Sequence, residues 1–153
     1  MIGDCALCWT AEKQSEASTV FEDHLIMACL DIRPAAKGHL LIFPKKHVAG
    51  LQDLSVYLAG YLFSLVPSLV RAVSLATGCS GVNLRINQGA SAGQDVFHVH
   101  IHLVPRYAGD GLDLTLGHDL RLPETASESK RAELDAVAAE IKAKLGTPTQ
   151  RQD

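Results

Sequence analysis

Apolar residues alternate with polar ones, or form short apolar blocks, through the first third of the chain. Segments 18–22, 24–30 and 38–44 have this pattern and are separated by turn residues, which predicts three neighbouring strands of a meander. Segments 81–87 and 96–105 alternate in the same way on either side of a small-residue loop. This indicates a further strand pair, so the pattern predicts an antiparallel sheet of about five strands.

Helical spacing replaces this alternation between residues 53 and 76, where apolar side chains recur every three or four positions. Asp53 is a suitable residue to begin the helix and Gly78 to end it. Pro67 lies inside the segment and is expected to kink or interrupt the helix, because proline has no backbone donor.

A second, C-terminal helix is predicted after Thr125-x-x-Glu128, which has the form of a capping box. Its predicted apolar face consists of Leu134, Val137, Ala138, Ile141 and Leu145. One long and one C-terminal helix beside an antiparallel sheet indicate an α+β fold.

Length and composition fit one domain. The chain has 153 residues, of which 47% are hydrophobic and 20% charged, enough to build a single core. We predict one domain over residues 1–146 and a flexible tail over 147–153. The formal charge is −3, so no general basic surface is expected and duplex nucleic acid is an improbable partner.

No apolar run approaches the roughly 20 residues that cross a bilayer, and the N-terminus has neither the basic nor the apolar region of a signal peptide. The sequence therefore predicts a cytoplasmic protein with no membrane association.

Three of the seven histidines fall in one short segment, at 98, 100 and 102. On a strand these side chains share one face, whereas Val99, Ile101 and Leu103 share the other. The residues alone leave three interpretations open: an exposed polar face, a transition-metal site, or a catalytic site.

The same segment, His-φ-His-φ-His-φ-φ with φ apolar, resembles the motif of the histidine triad (HIT) family of nucleotide hydrolases and transferases. The resemblance covers about residues 4–110. It includes Phe21-Glu22-Asp23, Asp31-Ile32-x-Pro34, Gly38-His39-x-Leu41-x-x-Pro44-Lys45-x-His47, Asn87-x-Gly89 and Gly93-Gln94-x-Val96. It implies the HIT fold and, as is usual in the family, a homodimer.

The resemblance implies that His100 attacks the α-phosphorus of a nucleotide and carries a covalent nucleotidyl intermediate. A neutral imidazole is both a competent nucleophile and a good leaving group, so this route replaces one difficult substitution by two easier ones. By the same resemblance, His102 donates to the phosphate oxygens, and Asn87 and Gln94 position the phosphate and the leaving oxygen. Together with backbone amides of the 89–94 loop, these donors imply catalysis without Mg²⁺.

The nucleoside contacts follow from the same resemblance. Asp31 is expected to accept hydrogen bonds from the ribose hydroxyls, although a turn-capping role is the alternative. Ile32 and Leu7 are candidates for the apolar wall against a purine base, and His39 for a supporting role beside the triad.

Cys5 and Cys8 have a spacing that lets two thiolates bind one metal, with a redox pair or two structural thiols as alternatives. In a subset of bacterial HIT proteins this pair joins two histidines in a zinc site, which implies structural Zn²⁺ bound by Cys5, Cys8, His47 and His98. Cys29 and Cys79 are expected to be small buried residues.

Asp95 departs from the family pattern, because many members have a serine or threonine after the Gly-Gln pair. A carboxylate pointing inward would repel phosphate, so we expect this side chain to face away. The alternative is that Asp95 alters the substrate or the leaving group. Arg106, after the triad, is a candidate contact for an extended polyphosphate, with a solvated arginine as the alternative.

The implied function is cleavage of nucleoside phosphoramidates or dinucleoside polyphosphates, with a purine nucleotide or nucleotide conjugate as ligand. The alternatives are a nucleotide-binding, zinc-containing interaction protein with little turnover, and a protein that binds one metal through all three triad histidines.

Overall fold

Five antiparallel strands form a single sheet in the computed structural model, which describes residues 5–112 and 128–146. The strands are β1 (Thr19–Glu22), β2 (Ile26–Leu30), β3 (Leu40–Pro44), β4 (Gly81–Arg85) and β5 (Ile101–Arg106). They lie in the order β1-β2-β3-β5-β4, so the first three form the predicted meander and β5 lies between β3 and β4. The predicted α+β class and antiparallel sheet are confirmed.

Three helices cover the two faces of the sheet: α1 (Ala6–Ala11), α2 (Val56–Thr77) and α3 (Glu128–Lys144). The long α2 and the C-terminal α3 pack on one face and enclose the main core. The short α1 packs on the other face, beside Met27, Cys29 and Phe43. Because both faces are covered, every residue of β2 is buried, which explains its uninterrupted apolar sequence.

Helix α2 begins and continues differently from the prediction. Its N-cap is Ser55, whose hydroxyl accepts a hydrogen bond from the backbone N–H of Leu58 at 3.2 Å, whereas Asp53 ends a preceding 3₁₀ turn. Pro67 lies within the helix on its exposed side and does not interrupt it. The predicted end is confirmed, because Gly78 has a left-handed conformation with φ of 67°.

The expectation that no segment approaches membrane-spanning length is wrong on length and composition, because the 22 residues of α2 are long and apolar enough to cross a bilayer. In this fold, however, five of them are buried, namely Leu62, Val66, Leu69, Ala72 and Val73. Burial in the main core accounts for this part of the apolar sequence.

Strand β5 is shorter than predicted and includes just one of the three clustered histidines. It starts at Ile101, after a bend in which the N–H of Val99 donates to the carbonyl of Val48 at 2.7 Å. Within the strand the predicted alternation holds, since Ile101 and Leu103 belong to the main core and His102 lies on the α1 side. The predicted pairing with β4 is confirmed, with Arg85 opposite His102.

Helix α3 has the predicted apolar face, with Leu134, Ala138 and Ile141 buried in the main core. Thr125 of the predicted capping box and the predicted tail 147–153 lie outside the described residues. The domain limits therefore stay predictions.

Candidate active site and metal centre

Two thiols and two imidazoles meet where α1 packs against the sheet. The Sγ atoms of Cys5 and Cys8 lie 3.4 and 3.5 Å from His98 Nδ1, and Cys8 Sγ lies 3.2 Å from His47 Nδ1. All four candidate ligand atoms lie within 4.8 Å of one another. A tetrahedral zinc site with bonds of about 2.0 to 2.3 Å separates its ligand atoms by about 3.3 to 3.8 Å, so the three contact distances fit such a site closely.

The protonation chemistry of this cluster also fits a cation. His98 Nε2 donates to the Pro44 carbonyl at 2.7 Å, which leaves the Nδ1 lone pair directed at the thiols. Burial lowers the pKa of His98 to about 4, so the ring is neutral at pH 7, as a metal ligand must be. Burial, followed by the hydrogen bond and charge of Cys5, raises the pKa of Cys8 to about 12. A divalent cation reverses this effect by stabilising the thiolates.

The cluster is coupled to His100 through the backbone. His100 Nδ1 donates to the carbonyl oxygen of His98 at 2.6 Å. This bond assigns the proton of the neutral ring to Nδ1 and leaves the Nε2 lone pair unprotonated. His100 also lines a cavity, so Nε2 is the atom available for nucleophilic attack.

A second hydrogen-bond chain sets the tautomer of His102. The backbone N–H of Ala35 donates to His39 Nδ1 at 3.1 Å, so neutral His39 carries its proton on Nε2. That atom donates to His102 Nδ1 at 3.0 Å, which leaves the proton of His102 on Nε2. Burial lowers the pKa values of His39 and His102 to about 4 and about 3. His102 is therefore a neutral donor, and His39 has the supporting position expected of it.

The three triad imidazoles do not converge on one metal position. Among the residues that the structure describes, His98 belongs to the Cys5 and Cys8 cluster, whereas His102 lies with Asp31 and His39. The interpretation in which one metal is bound by all three triad histidines therefore lacks the required geometry.

A cavity of about 320 Å³ opens beside His100 and His102. Leu7 and Ile32 contribute to its apolar wall, as expected for a base-binding surface. Six predicted nucleotide contacts line it together: Leu7, Asp31, Ile32, Asn87, His100 and His102. Helix α1 contributes to two sites at once, because Ala6, Leu7 and Thr10 line the cavity and Cys8 belongs to the candidate metal cluster of two cysteines and two histidines.

Asp31 caps a turn and also lines the cavity, so its position is compatible with both the turn-capping and the ribose-binding interpretation. Its Oδ1 accepts the backbone N–H of Arg33 at 2.8 Å, which is a turn-capping bond, and its Oδ2 lies 3.7 Å from His39 Nε2. Burial raises the pKa of this carboxyl group, against the lowering effects of the Arg33 hydrogen bond and the charge of His100. One oxygen therefore holds the turn, and the carboxyl group still lines the cavity.

The predicted phosphate donors in and beside the 89–94 loop already donate to acceptors of the protein. Gln94 is 4% exposed; its Nε2 donates to the carbonyls of Ala49 and Val96, and its Oε1 accepts the N–H of Gly89. Asn87 lines the cavity, but its Nδ2 donates to the Gly93 carbonyl at 2.8 Å. The structure thus gives Gln94 a loop-bracing position outside the cavity, and the backbone amides of Gly89, Ala92, Gly93 and Gln94 also have internal acceptors.

Two charged residues discussed for the phosphate end differ in position. Asp95 is exposed but borders the cavity, so it lies at the cavity mouth instead of facing fully away. Arg106 is bound by Asp110 through Nε and Nη2, both at 2.8 Å, and by Asn83 at 2.7 Å. This pairing lowers the pKa of Asp110 and holds the guanidinium in a surface turn.

Sequence reasoning missed helix α1 and the cavity residue Arg85. Helix α1 is only six residues long, too short for a periodic signal. Arg85 stands in an alternating strand, where a polar side chain is ordinarily interpreted as facing solvent. Its position opposite His102 emerges from the pairing of β4 with β5.

The comparisons with known proteins agree on one family. The sequence pattern of the HIT domain matches residues 12–109. The chain is 36% identical over 128 residues to adenylylsulfatase HINT3 of Arabidopsis thaliana, covering 82% of this chain and 65% of that protein. It is 38% identical over 109 residues to the protein hit of Bacillus subtilis, covering 71% of this chain and 75% of that protein.

Solved structures show the same fold. A zinc-bound histidine triad family protein from Mycobacterium smegmatis superposes with a TM-score of 0.72 at 30% identity, covering 92% of this chain and 96% of that chain. A hypothetical histidine triad nucleotide-binding protein from Sulfolobus tokodaii gives a TM-score of 0.78 at 27% identity, covering 92% and 91%.

Proposed function

This chain belongs to the HIT family, and from that premise we propose that it hydrolyses nucleotide conjugates through a covalent intermediate on His100. The observation that carries the proposal is the hydrogen bond from His100 Nδ1 to the His98 carbonyl. It leaves the Nε2 lone pair available in a cavity whose lining includes the apolar side chains of Leu7 and Ile32. Family membership supports hydrolase activity in general, and the substrate class is part of the proposal.

In the proposed first step, His100 Nε2 forms a bond to the α-phosphorus while the bond from phosphorus to the leaving group breaks. The electron pair of that bond departs with the leaving group, which leaves as an anion when it is sulfate or phosphate and takes a proton from solvent when it is an amine. His102 Nε2–H, held by His39, donates to a phosphate oxygen as negative charge accumulates there. The Nδ1–H bond to the His98 carbonyl supports the positive charge that develops on the imidazole ring.

In the proposed second step, a water oxygen bonds to phosphorus and the bond from phosphorus to Nε2 breaks. Its electron pair returns to His100, the proton from water passes to solvent, and the nucleoside monophosphate is released. No divalent cation is assigned to these steps, since His102 supplies the donor and imidazole the nucleophile. We therefore propose that Mg²⁺ is not required.

The proposed substrates are phosphoramidates, dinucleoside polyphosphates and, on the similarity to an adenylylsulfatase, adenylyl sulfate. Turnover of this panel with adenosine and guanosine nucleosides, in the presence of a chelator, tests the proposal. Cleavage of at least one conjugate to the nucleoside monophosphate is expected. Tight nucleotide binding without turnover would instead favour an interaction protein.

We also propose that Cys5, Cys8, His47 and His98 hold structural zinc. The tetrahedral fit of the distances supports this proposal, as does the zinc-bound state of the Mycobacterium smegmatis protein. When bound, the metal neutralises the paired thiolates.

A homodimer through α2 is proposed from its exposed apolar side chains. Val56, Tyr57 and Leu75 are 91%, 73% and 51% exposed, and an apolar face of this kind suits a two-fold interface. A dimer that covers this face would also account for the membrane-like composition of the helix. Cytoplasmic localisation, without membrane or duplex nucleic acid partners, remains part of the proposal.

Asp31→Asn is expected to weaken AMP binding by about 1 to 3 kcal/mol and to weaken 2′-deoxy-AMP binding less. Asparagine retains an oxygen for the Arg33 N–H but replaces the acceptor facing the ribose by a donor. Calorimetric titration with both nucleotides measures the difference between their losses of binding free energy. Asp53→Asn, which makes the same change at an exposed residue, is the control. Equal weakening of the two nucleotides would restrict Asp31 to turn capping or to the 3′-hydroxyl.

A further inference from the structure

Arg85 brings a positive charge to the cavity from the last residue of β4. It pairs with His102 across the β4–β5 ladder, lines the cavity and is half-buried. Within the described part of the chain, its one hydrogen bond runs from Nε to Asn87 Oδ1 at 2.9 Å. The terminal amino groups of the guanidinium are therefore not engaged by those residues.

The strand order places Arg85 on the opposite side of His102 from the residues that are expected to bind the nucleoside. Asp31 and Ile32 follow β2, and His102 lies on β5. Strand β4 is the next strand outward from β5, with neighbouring strands about 4.8 Å apart. A conjugate with its nucleoside near Ile32 and its α-phosphorus at His100 thus directs its leaving group toward Arg85.

Among the described residues that line this end of the cavity, Arg85 is the one that carries a positive charge. His102 is neutral, because its pKa lies near 3, and Arg106 is bound by Asp110 and Asn83. Asp95 adds a negative charge at the cavity mouth. The other cavity arginine, Arg33, follows β2 and lies on the nucleoside side.

We propose that Arg85 binds an anionic leaving group and makes this protein selective for sulfate or phosphate anhydrides of nucleotides over amidates. The inference rests on the proposed function. When His100 Nε2 bonds to phosphorus, the bond from phosphorus to the leaving oxygen breaks and the electron pair departs on that oxygen. Sulfate or phosphate then leaves as an anion that needs no proton, and a guanidinium stabilises the charge as it grows.

Arg85→Met is the decisive variant, with adenylyl sulfate and adenosine 5′-phosphoramidate as probes. We expect kcat/KM to fall at least tenfold more for adenylyl sulfate, because the nitrogen of the phosphoramidate takes a proton from solvent and leaves as uncharged ammonia. Arg85→Lys should restore part of this difference, since lysine retains the charge but not the planar fork. Arg33→Met removes an equal charge on the nucleoside side and should affect both substrates alike.

Equilibrium binding separates this inference from the proposed function. In His100→Gly protein, adding Arg85→Met should weaken ADP at least fivefold more than AMP, because ADP carries a further anionic group. If wild-type protein cleaves neither probe but this binding difference appears, the proposed function fails and the Arg85 contact stands. Equal losses for both substrates and both nucleotides, or the same discrimination in Arg33→Met, would overturn the role of Arg85 whether or not the wild type is active.

Discussion

Replacing His100 by glycine is expected to reduce turnover at least about a thousandfold while leaving AMP affinity within about threefold of wild type. The substitution removes the nucleophile but none of the apolar wall or the Asp31 carboxylate. Wild-type protein that is denatured at alkaline pH early in turnover, where the phosphorus–nitrogen bond survives, should show a mass increase of one nucleotidyl group, and the variant should not. His24→Ala, which alters an exposed histidine outside the cavity, serves as the control.

Added imidazole provides a second test of the same role. It can occupy the space vacated in His100→Gly and attack phosphorus, so partial recovery of cleavage is expected. Retention of more than about a hundredth of the wild-type rate without imidazole would exclude covalent catalysis through His100.

Loss of the metal cluster is expected to have the second largest effect. We expect about one zinc ion per chain in the wild-type protein and much less in Cys8→Ser. The variant should also have a Tm lower by about 10 °C or more. Cys8 joins α1 to His47 and His98, so its loss leaves α1 held by a small apolar contact. Elemental analysis and thermal unfolding measure the two effects, with Cys79→Ser as a control thiol outside the cluster.

The same variant should reduce kcat more than it raises KM, because the carbonyl that orients His100 belongs to the ligand residue His98. Brief chelation should leave activity unchanged, since a closed four-ligand site releases its metal slowly. Zinc-free protein isolated from metal-replete, reducing conditions, or a Cys5–Cys8 disulfide, would refute the metal site. The proposal for His100 would be unaffected.

Periodic features of this chain were predictable because burial imposes them. The five strands, the two longer helices and the apolar face of α3 all have the expected pattern. Local capping was less predictable: Ser55 and Asp53 are both good N-cap residues, and tertiary packing decides between them. Pro67 stays within α2 on its exposed side, where the missing backbone donor does not leave a buried polar group.

The site was predictable where a role depends on residue type and motif, and unpredictable where it depends on partners distant in the chain. The metal cluster joins residues up to 93 positions apart, and the resemblance identified all four of its members. The hydrogen bonds of Gln94 could not be predicted from the sequence either, since one of them reaches the Ala49 carbonyl. Arg85 and Arg106 are both strand arginines, and only the folded structure separates the paired one from the one in the cavity.

The double role of helix α1 implies thermodynamic linkage between two ligands. Cys8 belongs to the proposed zinc site, and Leu7 and Thr10 line the cavity proposed to bind nucleotide, so each ligand is expected to order the six residues of α1. If zinc tightens nucleotide binding by some factor, nucleotide must tighten zinc binding by the same factor. A cell poor in zinc would therefore retain the metal preferentially in protein that is occupied by nucleotide, and the metal content of the protein would report on its substrate supply.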